Sequence, residues 1–233
     1  MSEAIDCIFA KNKYGNYCIP RSSSHRTVAG RVLGGHTYEK DTIDFILANR
    51  GDGAVVHAGA YFGDFLPALA SDNAVVYAFE PVFENYRCAK ITVDLNYHTH
   101  QTKVIHAALG STHGETIRMI TKEQGKDIGC ASKVESDRWV ATEDNSEEVL
   151  IFILDWAIHP RHRVSIIHLD IEGYEEEALK GATELLRRDR PILILEMWQD
   201  SYLDTPFFKD FIFGELNYVK GQKLYENTVL MPA

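Results

Sequence analysis

The chain has 233 residues, 45% of them hydrophobic and 25% charged, which suits one globular domain with a single substantial core. Thirty-four acidic against twenty-four basic residues give a formal charge of -10, which disfavours partners gripped through phosphates, whether nucleic acid or an anionic lipid surface. Cys7, Cys18, Cys88 and Cys130 form no C-x-x-C pair and have no histidines at zinc-finger spacing, and no apolar run approaches the roughly 20 residues of a membrane span. The expectation is a reduced, cytoplasmic protein with neither nucleic-acid nor membrane partners.

Residues 1–48 are irregular, punctuated by Gly15, Pro20, Gly30 and Gly34-Gly35, and read as a cap or lid on a main domain spanning 49–233. From about residue 50, short β-branched apolar runs alternate with longer helical stretches, which predicts an α/β fold with a doubly wound, mostly parallel sheet. Residues 54–58 read as the first strand, with a helix starting near Gly63. Residues 74–79 follow as a strand, 82–96 as a helix and 103–107 as a third strand. Residues 116–120 and 149–153 read as two arms of a hairpin, separated by an aperiodic polar stretch at 121–148; loops of that length are usually functional. Residues 164–170 read as a fourth core strand, 174–188 as a helix and 191–196 as a fifth strand. Residues 217–225 and 228–231 flank Glu226-Asn227 as a closing antiparallel hairpin, which brings the sheet to seven strands.

In open α/β sheets ligands bind outside the carboxyl ends of the strands, so chemistry is sought there. The first strand runs into Val55-Val56-His57-Ala58-Gly59-Ala60-Tyr61-Phe62-Gly63-Asp64. Its G-x-x-x-G spacing lacks the middle glycine of G-x-G-x-x-G, the residue that lets backbone approach a pyrophosphate. A nicotinamide-dependent oxidoreductase is therefore disfavoured. S-adenosylmethionine has no pyrophosphate and needs a tight turn at Gly59, with backbone amides and a helix start near Gly63 and Asp64 for its carboxylate. The same two glycines also suit a plain packing turn. Glu80 ends the second strand 21 residues after Gly59, where a carboxylate accepts from ribose hydroxyls; ahead of Pro81 it equally suits a helix start. The fourth strand ends in His168-Leu169-Asp170-Ile171-Glu172-Gly173-Tyr174-Glu175. Asp170, Glu172 and His168 are candidates to orient or deprotonate an acceptor hydroxyl, the alternative being that the two carboxylates cap the next helix and His168 is a core residue.

Taken in order, VVHAGAYFGDF, VYAFEPVFENY, His106-Ala107-Ala108-Leu109-Gly110, Phe152-Ile153-Leu154-Asp155, IIHLDIEGYEEEALKGA and RPILILE resemble the FkbM family of methyltransferases, over about residues 38–196. The resemblance implies a class I, Rossmann-like methyltransferase sheet, S-adenosyl-L-methionine as donor, and O-methylation of a sugar or natural-product-like small molecule bearing a hydroxyl. It places His57, Gly59, Ala60, Tyr61, Gly63, Asp64, Glu80, Pro81, Ala107, Ala108 and Asp170 at the cofactor. Asp170 and Glu172 would line the transfer site. Two positions depart from the family: His57 stands where an acidic residue usually ends the first strand, and His168 where a lysine is common. Asp155, Asp170, Glu172 and Glu196 are hard ligands that would suit a divalent metal if they converged. A non-catalytic module retaining the cofactor pocket is the remaining reading.

Overall fold

A computed structural model describes residues 5–197 and 199–233. The N-terminal part comprises the hairpin β1 (Cys7–Lys11) and β2 (Asn16–Pro20), then α1 (Thr27–Leu33) and α2 (Lys40–Asn49). Next come β3 (Ala54–Ala58), α3 (Leu66–Leu69), β4 (Val76–Phe79), α4 (Phe83–Leu95), β5 (Thr102–Ile105), β6 (Ala108–Leu109) and β7 (Thr116–Ile120). The polar stretch holds β8 (Lys122–Glu123), β9 (Lys126–Asp127) and β10 (Lys133–Val134), and leads into β11 (Ser146–Phe152) and α5 (Leu154–Ala157). The chain ends with β12 (Val164–Leu169), α6 (Glu175–Lys180), α7 (Thr183–Asp189), β13 (Ile192–Glu196), a π-helical segment (Phe207–Glu215), β14 (Tyr218–Leu224) and β15 (Asn227–Pro232).

The main sheet is seven-stranded and mixed, in the order β14-β15-β13-β12-β3-β4-β5. β13, β12, β3, β4 and β5 are parallel, whereas β15 runs antiparallel to both β13 and β14. The expected hairpin therefore closes the sheet by inserting its second arm inside its first. After β5 the chain returns to the other side of β3 as β12, so the strand order reverses between these two strands and opens a crevice at their carboxyl ends.

Both faces of the central strands are buried, which is why they read as continuous apolar runs. Val56, Ala58, Ile167, Leu169, Leu193 and Leu195 face one core with Leu179, Leu185, Leu186 and Ile212. Val55, Ile166 and Ile194 face the other with Ile43, Ile46, Leu66 and Val93. Period-two alternation puts His57 and His168 on this second face, that of α2, α3 and α4. The helix α2, which straddles position 48/49, packs on the sheet, while the β1–β2 hairpin packs on α4 through Tyr17, Cys18 and Cys88. Thr92 pins that contact by accepting from the Cys18 amide and donating to the Phe62 carbonyl. No described helix is long and apolar enough to cross a membrane.

Three local expectations need correction. The helix expected from Gly63 begins at Leu66 and makes one turn, so it offers a carboxylate almost no helix dipole. The helix expected over 174–188 breaks at Gly181-Ala182, because α6 ends where Gly181 meets the Gly110 carbonyl, 2.0 Å from where a Cβ would sit. The stretch at 121–148 is not a bare loop: β8 pairs with β9, and β10 adds to the β7–β11 hairpin at Met119 and Ile120.

Candidate functional site

Three neighbouring cavities open at the carboxyl ends of β3, β4 and β12. The first, a largely apolar cleft, is lined by Ala58, Gly59, Tyr61, Phe79, Glu80, Pro81, Ala107 and Ala108 from the sheet side. Met119, Gly129, Cys130, Ser132 and Val134 close it from β7 and the polar stretch. The second, smaller cavity is bordered by His57, Gly59, Tyr61, Asp64, Phe65 and Asp170. The third is strongly acidic, with Glu39, Asp170, Glu172, Glu196 and Glu226 facing Arg26 and Tyr38. Asp170 and Cys130 border all three.

Gly59 is what brings β3 and β12 together here. Its φ is +81°, and a Cβ would sit 1.8 Å from the Asp170 carbonyl oxygen. The Asp170 amide donates to the Ala58 carbonyl at 3.1 Å, so the two strand ends are tied at this point. Gly63 has φ +84° but turns toward Ala89 and Thr92 of α4, and Ala60 is fully buried. These two expected cofactor residues shape the turn and line none of the three cavities.

Glu80 is 3% exposed and accepts from the Tyr61 amide (2.7 Å), the Val82 amide (3.0 Å) and Asn85 Nδ2 (3.3 Å). A carboxylate offers about four acceptor positions, so one remains, on Oε2. Burial pushes its carboxyl up to about 8, against the pull of those donors. Glu80 thus orders the start of α4 and also lines the cleft.

The structure separates the candidates on β12. Glu175 takes the capping role, accepting from the Ile171 and Gly173 amides. Asp170 and Glu172 are left to the cavities, with Glu172 held at φ +57° in the turn. His168 is fully buried, engages His57 and Asn227 through its two ring nitrogens, and lines none of the three cavities, so it is not placed to deprotonate an acceptor. Asp155 lies elsewhere, accepting from the Glu184 and Leu185 amides at the start of α7. Of the four carboxylates weighed as metal ligands, Asp170, Glu172 and Glu196 share the third cavity and Asp155 does not join them. Among the described residues no group of three or more His, Cys, Asp or Glu side chains is arranged to hold a metal ion.

Arg26, Tyr38, Glu39, Cys130, Ser132 and Glu226 join the site without having been expected. They come from the cap, the polar stretch and the closing turn, where no periodic pattern marks a residue as inward-facing. Burial pushes the Cys130 thiol up to about 11, so it is a packing thiol and not a thiolate nucleophile.

Burial also raises the carboxyls of Glu39, Asp64 and Glu172 to about 7, with Glu196 adding repulsion at Glu39 and Glu172, and Glu39 at Asp64. Asp170 stands well above the usual carboxylate range, through burial and then Glu196. A carboxyl whose folded value is raised holds a proton that the unfolded chain has released. Its stabilisation is complete below its ordinary value near 4 and is lost as pH rises through 7 to 8. His57 and His168 are lowered by burial and act oppositely, but their effect is centred at or below their ordinary value near 6.5 and fades within about one pH unit above it, leaving the several raised carboxyls to dominate. The unliganded protein should therefore melt at progressively lower temperature from pH 6.5 to 8.5. A melting temperature that rises over that interval would show that these carboxyls are ionised in the folded state.

Comparison with curated protein sequences gives no match. Among solved structures, the chain is similar to the FkbM methyltransferase of Methylobacillus flagellatus KT, at 19% identity and a TM-score of 0.53, over 77% of this chain and 43% of that one. The chain thus spans under half the length of that relative. Weaker likenesses include magnesium protoporphyrin IX methyltransferase from Synechocystis PCC 6803 with bound SAM (14% identity, TM-score 0.44, 88% and 82% of the two chains). Another is the Pyrococcus abyssi tRNA (uracil-54, C5)-methyltransferase in complex with S-adenosyl-L-homocysteine (12%, 0.45, 96% and 42%). The model of the methyltransferase FkbM domain matches residues 57–218, from the β3 histidine to the first residue of β14, which takes in the strand ends that carry the site but not the walls built from Arg26, Tyr38, Glu39 and Glu226. The chain belongs to the FkbM family of S-adenosylmethionine-dependent methyltransferases.

Proposed function

We propose that the chain binds S-adenosyl-L-methionine in the first and second cavities and O-methylates a small-molecule acceptor, sugar-like or natural-product-like, held in the third. The observation that carries this reading is Glu80: a buried carboxyl group whose Oε2 keeps one hydrogen-bonding position free, on an apolar cleft also lined by Gly59. A ribose hydroxyl suits that position, and Ala107, Ala108 and Leu109 beside it suit an adenine face. Pro81, Tyr61 and Gly59 complete the donor's contacts, and Asp64 lies on the cavity that would take its methionine portion.

When bound, S-adenosylmethionine supplies a methyl group activated by a sulfonium. The protein's task is to hold the acceptor oxygen in line with it and to exclude water, and such positioning contributes roughly 7–11 kcal/mol. Asp170, on the border of all three cavities, orients the acceptor hydroxyl and takes its proton, with Glu172 supporting it. Residues 5–48 and the 121–148 stretch act as the lid: the Tyr61 hydroxyl donates to Ser23, and Gly129 packs against the same hydroxyl. Four free cysteines are in keeping with a cytoplasmic setting, and the formal charge of -10 favours a small molecule over RNA.

The test is transfer of a labelled methyl group from S-adenosylmethionine to a panel of hydroxylated sugars and natural-product-like compounds, with bulk RNA alongside. Label on a small-molecule oxygen is the expected outcome. Label only on RNA, or on carbon or nitrogen, contradicts the reading.

A further inference from the structure

His57 and His168 occupy matching register positions on β3 and β12, and Phe65 stacks on His57 with ring centroids 5.0 Å apart. Their Nδ1 atoms are 2.9 Å apart, a contact with room for one proton, so one ring donates and the other accepts. Which one is settled from the far end of a chain of hydrogen bonds. Asn227 Nδ2 donates to Glu39 Oε2 at 2.7 Å, which turns the amide oxygen toward His168 Nε2 at 3.3 Å. That oxygen only accepts, so His168 carries its proton on Nε2. Burial keeps both imidazoles neutral, His57 well below its ordinary value and His168 down to about 4. A neutral His168 protonated on Nε2 has a bare Nδ1. His57 must then donate from Nδ1, which leaves its Nε2 with a lone pair and no hydrogen.

That Nε2 is buried and has no hydrogen-bond partner among the described residues. His57 borders the second cavity, beside Asp64 and Asp170. A buried acceptor on a residue that borders a cavity with two carboxyls, and with no donor among the described residues, is suited to a ligand N–H group.

We propose that His57 Nε2 accepts a hydrogen bond from a ligand ammonium, the α-ammonium of the methyl donor, and that Glu39, Asn227 and His168 are positioning residues that hold His57 in the accepting tautomer. This rests on the donor reading above. Asp64 and Asp170 border the same cavity and offer further oxygen acceptors, while the imidazole supplies direction without adding a negative charge to a crowded acidic site. The histidine where the family usually has an acidic residue becomes a working substitute, dependent on a relay that ends 18 residues upstream in sequence at Glu39.

The test compares two ligands on the full chain with 15N-labelled histidine. S-adenosylhomocysteine carries the ammonium; 5′-methylthioadenosine lacks the whole amino-acid portion. Long-range 1H–15N spectra should show His168 protonated on Nε2 and His57 unprotonated there, and S-adenosylhomocysteine, but not 5′-methylthioadenosine, should shift the His57 Nε2 resonance. His57→Phe should weaken S-adenosylhomocysteine about tenfold or more and 5′-methylthioadenosine less than twofold. Asn227→Ala should mix the His57 tautomers and weaken S-adenosylhomocysteine alone. A proton on His57 Nε2 in the free protein, no response to bound S-adenosylhomocysteine, or equal weakening of both ligands in His57→Phe each overturn the proposal, and the first two need no variant. If S-adenosylhomocysteine does not bind the unaltered chain at all, the donor reading itself fails and this inference with it.

Discussion

Gly59→Ala is expected to destabilise the protein by roughly 3 kcal/mol or more and to abolish binding of S-adenosylhomocysteine. Two costs coincide at this residue. Its φ of +81° is a conformation that side chains disfavour, and the added Cβ would lie 1.8 Å from the Asp170 carbonyl oxygen. That oxygen cannot simply retreat. The Asp170 amide is bonded to Ala58, and β3 and β12 are paired in register through His57–His168 and Ala58–Leu169. Relief must come from opening the crevice between the strands, where the first and second cavities lie. Gly173→Ala is the matched control, with φ +94° and no atom within 4 Å of the new Cβ, so it carries the backbone cost of roughly 1–2 kcal/mol alone. Urea denaturation of the two variants separates the costs. Equal loss in both would mean that the close approach of Gly59 to β12 carries no energy.

Asp170→Asn is expected to lower the rate of methyl transfer by roughly 10²–10⁴-fold, the range for loss of a positioned general base. The side chains have nearly the same shape, so the variant keeps the cavity walls and removes the proton acceptor. Asp170 is singled out because it borders all three cavities and because Glu196, Glu39 and Glu172 all add to burial in raising its carboxyl well above the usual range. A base of raised value loses its proton as pH rises, so the rate in the unaltered protein should climb with pH, and that limb should be missing in Asp170→Asn. Glu172→Gln, which changes a carboxylate on the acceptor cavity alone among the three, should cost less. A loss below tenfold for Asp170→Asn with donor affinity unchanged would remove Asp170 from the transfer step.

The parts of this molecule set by short-range pattern were legible before any coordinates. β3, β12 and β13 are buried on both faces and announce themselves as apolar runs, and the closing hairpin is marked by its Glu226-Asn227 turn. The seven-strand count followed from those runs; the order did not, because insertion of β15 between β13 and β14 is a tertiary choice. Gly59, Glu80, Ala107, Ala108 and Asp170 stand at strand ends, so their place on the cleft could be read from strand position. Gly63 misled because a left-handed glycine serves a packing turn as readily as a ligand loop. Asp155 misled because its partners, the Glu184 and Leu185 amides, are remote in sequence. His168 could not be judged from one strand: its partners are a neighbouring strand's His57 and the hairpin's Asn227, and only their juxtaposition turns a candidate base into part of a buried network.

The most direct test of the methyl-donor site is calorimetric titration of S-adenosylhomocysteine and, separately, NAD into the unaltered chain and Glu80→Ala. Saturable binding of S-adenosylhomocysteine, none of NAD, and a loss of about tenfold or more in a folded Glu80→Ala variant are predicted, from the hydrogen bond lost at the open Oε2 position and the partner left unsatisfied there. Binding of NAD in preference to S-adenosylhomocysteine, or unchanged S-adenosylhomocysteine affinity in Glu80→Ala, would contradict the placement of the donor in this cleft.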